Sequence, residues 1–178
     1  MTNTYETLVG CFHSFSTINK AITAGRTNIR VATDIEEDET IYVKEPISIF
    51  IDSYVRVHFS QKNAFIIDGG SLLLHGSDTG DKDARKHKST ISCCKDCVLI
   101  SPETQTDPAG YDACACNTIL MDLRIESPGS ISITGSDMAI NNNYFLCQLN
   151  MNKICNSSIC SNIIEEEEPG KNIKGSAY

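Results

Sequence analysis

Tryptophan is absent, and aromatic residues make up only 7% of this 178-residue chain. That shortage weakens a sugar-binding reading, because rings that could stack in a groove are few and scattered. Positive charge is also scarce: 15 Lys and Arg stand against 23 Asp and Glu, a formal net charge of −8. A nucleic-acid binder needs a basic stripe, since phosphate neutralisation with counterion release supplies most of its affinity, so nucleic acid is not an expected partner. No apolar run approaches the roughly 18 to 20 residues that cross a bilayer, and no membrane partner is expected. Met1 to Glu6 are polar, with no basic segment leading into an apolar stretch. The expected location is therefore cytoplasmic or host-cell intracellular, with a virion as a further setting.

What is present is enough apolar material for one core. Hydrophobic residues are 40% and charged residues 21% of the chain, ordinary values for a folded domain of this length. The nine cysteines are many. Without a secretion signal they read first as small apolar side chains, and only then as a disulfide framework.

One segment has helical spacing. Ser16 serves as N-cap, Ile18, Ala21 and Ile22 line one face, and Gly25 stops it, which predicts a short helix over 16–24. The rest alternates apolar with polar residues: Ile29/Val31, Ile41/Val43, Ile47/Ile49/Ile51, Val55/Val57/Phe59, then Phe65–Ile67, Leu72–Leu74, Val98–Ile100, Met121/Leu123/Ile125, Ile131/Ile133 and Tyr144–Met151. Such alternation marks strands, and the Gly, Asp, Asn, Ser and Pro between them supply turns. Runs starting near Ser48, Ser71, Cys97 and Thr118 recur at roughly 20 to 26 residues, the period of a stacked coil rather than of hairpins. Two polar excursions, Ser77 to about Thr90 and Pro102 to about Tyr111, should project as loops. The basic cluster Arg85–Lys88 reads as part of a solvated loop. The expected organisation is one all-β domain over 1–164 and an acidic, flexible tail over 165–178.

Phe15–Gly25, followed by Ile29-Arg30-Val31 and Ile41-Tyr42-Val43-Lys44, resembles the start of pectin-lyase-like right-handed parallel β-helix proteins. The turn Asp68–Leu72 and the stretch Asn141–Asn143 resemble coil corners of that family. The resemblance implies a single-stranded right-handed β-helix, or solenoid, capped at its first coil by the short helix. It implies no particular activity, because the family contains polysaccharide lyases, esterases and hydrolases as well as adhesins and virus structural proteins. The catalytic motifs of the enzymatic branches are missing, so no catalytic residue is assigned. The expected function is a non-enzymatic structural or interaction module in a larger assembly such as a virus particle, with protein partners or self-association. A carbohydrate-binding or carbohydrate-active protein of the pectin-lyase-like type is the alternative.

Cys94-x-x-Cys97 followed by Cys114-x-Cys116 comes close to the paired spacing of four thiolates around zinc. Those four residues are the candidate metal ligands, set against separate cysteines that bind nothing, and a zinc-stabilised module is a third reading. Cys147, Cys155 and Cys160 lie among apolar residues and are expected in the core. His75 and His87 flank the first excursion and are candidate bases for Cys93 or Cys94. Asp52, Asp68 and Asp78 are candidate acid/base carboxylates, though turn formation is the favoured reading and accounts for them without any catalysis. Asp78, Asp81 and Asp83 resemble part of a calcium loop, opposed by Lys82, Arg85 and Lys86.

Overall fold

The computed structural model describes residues 6–80, 83–103, 105–106, 112–113, 115–165 and 176–177. Strand β1 (Thr7–Val9) and helix α1 (Ile18–Thr23) lead into repeats of three short strands. These are β2 (Asn28–Val31), β3 (Ile35–Glu37) and β4 (Ile41–Val43), then β5 (Pro46–Ile51), β6 (Arg56–Phe59) and β7 (Asn63–Ile67), then β8 (Ser71–Gly76), β9 (Thr90–Cys93) and β10 (Cys97–Pro102). A small antiparallel pair follows, β11 (Gln105–Thr106) and β12 (Asp112–Ala113). The chain then resumes with β13 (Ala115–Met121), β14 (Arg124–Thr134), β15 (Ser136–Asn141), β16 (Tyr144–Asn152), β17 (Ser158–Cys160), β18 (Ile163–Glu165) and β19 (Ser176–Ala177). The all-β expectation holds, and the sheets are parallel apart from β11–β12 and β18–β19.

Three parallel ladders organise the strands. Ladder A runs β1-β2-β5-β8-β13-β15-β17. Ladder B runs β3-β6-β9 and continues through the first halves of β14 and β16 to β18. Ladder C runs β4-β7-β10 and continues through the second halves of β14 and β16. The long β14 thus serves both: Arg124–Glu126 pair with β9, and Ile131–Ile133 pair with β10.

Period-2 alternation turns this pairing into a core, because every second residue faces inward. In ladder A the register sets Ile29, Ile49, Leu74, Leu120 and Ile140 in one column, all buried. Each fully buried aliphatic contributes about 1.5–3 kcal/mol. Ladder B stacks Val57, Ile91, Ile125 and Phe145 in the same way.

The helix covers the first repeat. Its N-cap is Thr17, whose hydroxyl accepts from the Lys20 N–H at 3.3 Å, whereas the expected cap Ser16 takes a bond from Lys20 Nζ at 3.0 Å. Gly25 stops it with φ +75°. The first turn has a second acceptor: the buried Glu37 carboxylate of β3 takes the Ile18 N–H, and its other oxygen lies 3.4 Å from the Asn19 N–H. Burial raises the Glu37 carboxyl to about 7 although the Ile18 and Asn19 N–H groups oppose that rise.

The corners between ladders A and B carry buried asparagines. Asp122, Asn142 and Ser161 each turn the chain at positive φ, and Asn143 and Asn162 follow the last two. Asn143 Oδ1 accepts from Leu123 N–H at 3.2 Å, while Nδ2 donates to Leu120 O at 2.9 Å and to Asn162 Oδ1 at 3.1 Å. Asn162 Nδ2 donates to Ile140 O at 2.6 Å. Every amide thus satisfies backbone groups that the turn would otherwise orphan.

Three expectations need correction. The Arg85–Lys88 cluster is not simply a solvated loop: His87 is buried, and Arg85 reaches Glu165. Cys155 and Cys160 are exposed rather than core, because Cys160 lies on β17, the last strand of ladder A, and Cys155 just before it. Glu165, assigned to the tail, closes β18 and is buried, and β19 pairs back onto that strand. Residues 166–175 and 178 of the expected tail lie outside the described residues.

Candidate functional site

The corner between ladders B and C gathers thiols. β9 ends on Cys93, the turn carries Cys94, and β10 begins on Cys97. Cys93 and Cys97 are buried, while Cys94 is half-buried. The sulfurs of Cys94 and Cys97 lie 3.2 and 3.7 Å from the same acceptor, Gln61 O. Hydrogen bonding from Cys93 holds the Cys97 thiol below its ordinary range; burial opposes this, and Cys94 and the Ala64 N–H assist. The reciprocal bond pushes Cys93 well up, and burial adds to it. Cys94 is raised chiefly by burial, then by Cys97.

The paired-thiolate spacing therefore comes together only in part. Cys94 and Cys97 meet, with Cys93 as a third member absent from the candidate set. Cys116 lies on β13 with its sulfur 3.3 Å from Thr134 O. Cys97 pairs with Ile131, so Thr134 is three residues farther along β14, about 10 Å at strand rise. Cys114 lies outside the described residues. Among the described residues, no group of three or more His, Cys, Asp or Glu side chains is arranged to hold a metal ion.

The histidines stand elsewhere. His75 on β8 packs its ring 4.9 Å from that of Phe50, and burial lowers its pKa. His87 is enclosed by the first excursion with neither ring nitrogen hydrogen-bonded, and its Nε2 is 4.0 Å from Asp122 Oδ1. Both belong to ladder A or its corner with B, not to the thiol corner.

The candidate carboxylates are employed structurally. Asp52 accepts from Arg30 Nε at 2.7 Å, and Asp78 accepts from the Gly80 N–H at 2.7 Å. Asp83 accepts from the Arg85 N–H at 3.1 Å, while Asp81 lies outside the described residues. Asp68 is 3.5 Å from Lys44 Nζ, and a hydrogen bond with Asp68 raises the exposed Glu103 carboxyl.

The outward face of ladder B carries a connected polar network, which the sequence did not flag. Arg56 meets Glu126 at 2.9 Å, Arg124 meets Glu126 at 3.2 Å, and the Arg124 guanidinium lies 5.4 Å from the Tyr144 ring centre. The Tyr144 hydroxyl donates to Glu165 at 2.7 Å, and Arg85 Nε donates to the other oxygen at 2.8 Å. Those two bonds hold Glu165 below the usual carboxylate range; burial, followed by the Glu165 bond, pushes Tyr144 up to about 12. A shallow depression of about 280 Å³ lies alongside, lined by Ser92, Arg124, Glu126, Ser127, Pro128 and Leu146. Glu126 and Glu165 are each paired to cations, and Glu165 is held away from the raised range that a general acid requires.

The far end of ladder A presents a different feature. Cys160 O accepts from Asn142 N–H at 3.0 Å, so Cys160 turns its backbone groups toward β15. Its neighbour Ile159 therefore turns its own N–H and C=O the other way, where ladder A has no further strand among the described residues. The Ile159 side chain, last in the column that includes Ile140, is 38% exposed. No protein-family model, curated protein or solved structure matches this chain.

Proposed function

We propose that this chain is a short right-handed parallel β-helix of the pectin-lyase-like kind, working as a non-enzymatic assembly module that pairs through the edge of its last repeat. The handedness follows from general stereochemistry, since about 98% of crossovers between parallel strands in one sheet are right-handed. Three ladders visited in the same order from β2 through β16 support the winding. The observation that carries the function is the Ile159 edge: outward backbone groups beside an exposed aliphatic end a buried column. Such an edge is a template for strand addition.

The opposite end is lidded by α1, whose Ile18 and Ala21 are buried. Head-to-tail stacking into a filament is therefore blocked. Tail-to-tail pairing of two copies, with β17 strands antiparallel, gives a closed dimer.

The test is sedimentation velocity of the full chain over a broad concentration range, alongside Ile159→Pro. Proline removes the outward N–H yet leaves the bonds of Cys160 to β15 in place. A concentration-dependent dimer in the parent that is lost in a folded I159P supports the proposal. A parent that stays monomeric throughout, or an I159P that dimerises equally, overturns it.

A further inference from the structure

We infer that Cys94 and Cys97 form a reversible thiol–disulfide exchange site for small-molecule disulfides, with Cys94 as the attacking thiol and Cys97 as the resolving one. The geometry is local and built from backbone pairing. β9 and β10 are joined by a turn of three residues, Cys94, Lys95 and Asp96, with Asp96 at φ 56°. This turn aims both sulfurs at a single carbonyl, Gln61 O, at 3.2 and 3.7 Å. One neighbour, Cys94, is only half-buried, and the other is sealed in the core. Packing alone asks for no such convergence, since a buried cysteine serves as a small apolar residue wherever it points.

The two thiols divide the chemistry by access. The Cys94 sulfur attacks one sulfur of the incoming disulfide. A bond forms between Cys94 and that half, the small S–S bond breaks, and the departing sulfur leaves with the Cys94 proton as a free thiol. Cys97 then attacks the Cys94 sulfur, closing the protein disulfide. The second half leaves as a thiol, carrying the Cys97 proton. Two protein thiols are oxidised and one small disulfide is reduced to two small thiols, so electrons and protons balance. Hydrogen bonds from Cys93, Cys94 and the Ala64 N–H favour charge on Cys97, which suits a resolving thiolate. Cys94, raised by burial, attacks slowly at neutral pH and faster as the pH increases. Cys93 remains a thiol throughout and serves as a donor to its neighbour.

The experiment incubates the full chain with glutathione disulfide, traps remaining thiols by alkylation in acid, and maps the peptides by mass spectrometry. The exposed cysteines Cys11, Cys155 and Cys160 report in the same map as internal references. The expected product is a Cys94–Cys97 disulfide that glutathione reverses, with Cys93 alkylated. Cys97→Ser and Cys97→Ala should each halt at a glutathione adduct on Cys94, at least about tenfold more abundant than in the parent. Cys94→Ser should leave Cys97 unoxidised. Adducts confined to Cys11, Cys155 and Cys160, or a parent that accumulates the Cys94 adduct as heavily as the Cys97 variants, overturn the assignment. The parent peptide map decides between these outcomes even if a buried substitution destabilises the fold.

Discussion

Arg85 Nε donates to Glu165 Oε1 at 2.8 Å across 80 residues of sequence. The partner residues explain its reach. Glu165 ends β18 in the last repeat, and Arg85 belongs to the excursion that leaves the third repeat after β8. The excursion therefore lies along the corner of ladders A and B, and His87 within it is buried beside Asp122.

The strap should loosen in acid. Glu165 titrates below its ordinary value of 4.5 because of Tyr144 and Arg85. A carboxyl lowered in the folded state contributes stability above its unfolded value and loses it as the pH falls through the folded one. Hydrogen-exchange protection at the Lys86 and His87 amides, bonded to Asp83 O and Ala84 O, should fall below about pH 4.5 when rates are taken relative to the intrinsic rate at each pH. Glu165→Gln, which cannot accept from both Arg85 and Tyr144, should give several-fold faster exchange already at pH 7.

Glu37 carries the opposite sign. Its carboxyl rises from 4.5 to about 7 on folding, chiefly through burial. The stabilisation from that proton is complete below about 4.5 and is lost as the pH climbs through about 7, a swing of about 3 kcal/mol. Chemical denaturation between pH 4.5 and 8 should show stability falling with pH, and Glu37→Gln should flatten that slope. Glu37→Ala, which strips α1 of this acceptor, should cost about 1 kcal/mol even at pH 4.5.

Asn143 is the most consequential polar residue in the interior. Asn143→Ala orphans the buried Leu123 N–H and Leu120 O and removes a partner of Asn162. The expected loss is about 2–4 kcal/mol, seen as a melting-temperature drop of roughly 5–15 °C. Asn143→Asp should be at least as damaging, because a carboxylate cannot donate to Leu120 O.

Gly76 is required by contact rather than by torsion. A Cβ there would stand 2.1 Å from Asp122 O and 2.8 Å from Ser89 Cβ. Gly76→Ala must displace backbone and should cost about 3 kcal/mol or more in thermal denaturation. At Gly129 a Cβ would meet the side-chain atoms Lys95 Cγ and Asp96 Oδ1, which can swing aside, so Gly129→Ala should cost less than half as much.

The regular strands were legible because their signal is periodic. Ile47, Ile49 and Ile51 alternate with Ser48 and Phe50, and all three are buried as that parity requires. The same parity placed Glu37 inward with Ile35, but it sits in the run Glu36–Glu39, which reads as a solvated acidic turn. Asn143 and Asn162 carry a turn signature whether exposed or stacked, and their burial follows only from the stacking of the two corners in space. The His87 environment was illegible, since it depends on where the excursion lies and not on local sequence. Among the candidate ligands, the turn between β9 and β10 made Cys94 and Cys97 neighbours. The position of Cys116 depended on β13 belonging to ladder A, a choice that spacing alone does not make.

Ladder A keeps its register across the longest detour in the chain: Leu74 on β8 pairs with Leu120 on β13. Two insertions lie between them, one at the A–B corner and one at the return from C to A, yet the aliphatic column continues unbroken. Closing a loop costs only about 0.6 kcal/mol for each doubling of its length. Loop length at such a junction is thus energetically cheap, and foreign peptide is best grafted away from the Arg85–Glu165 strap while the strands beneath remain in step.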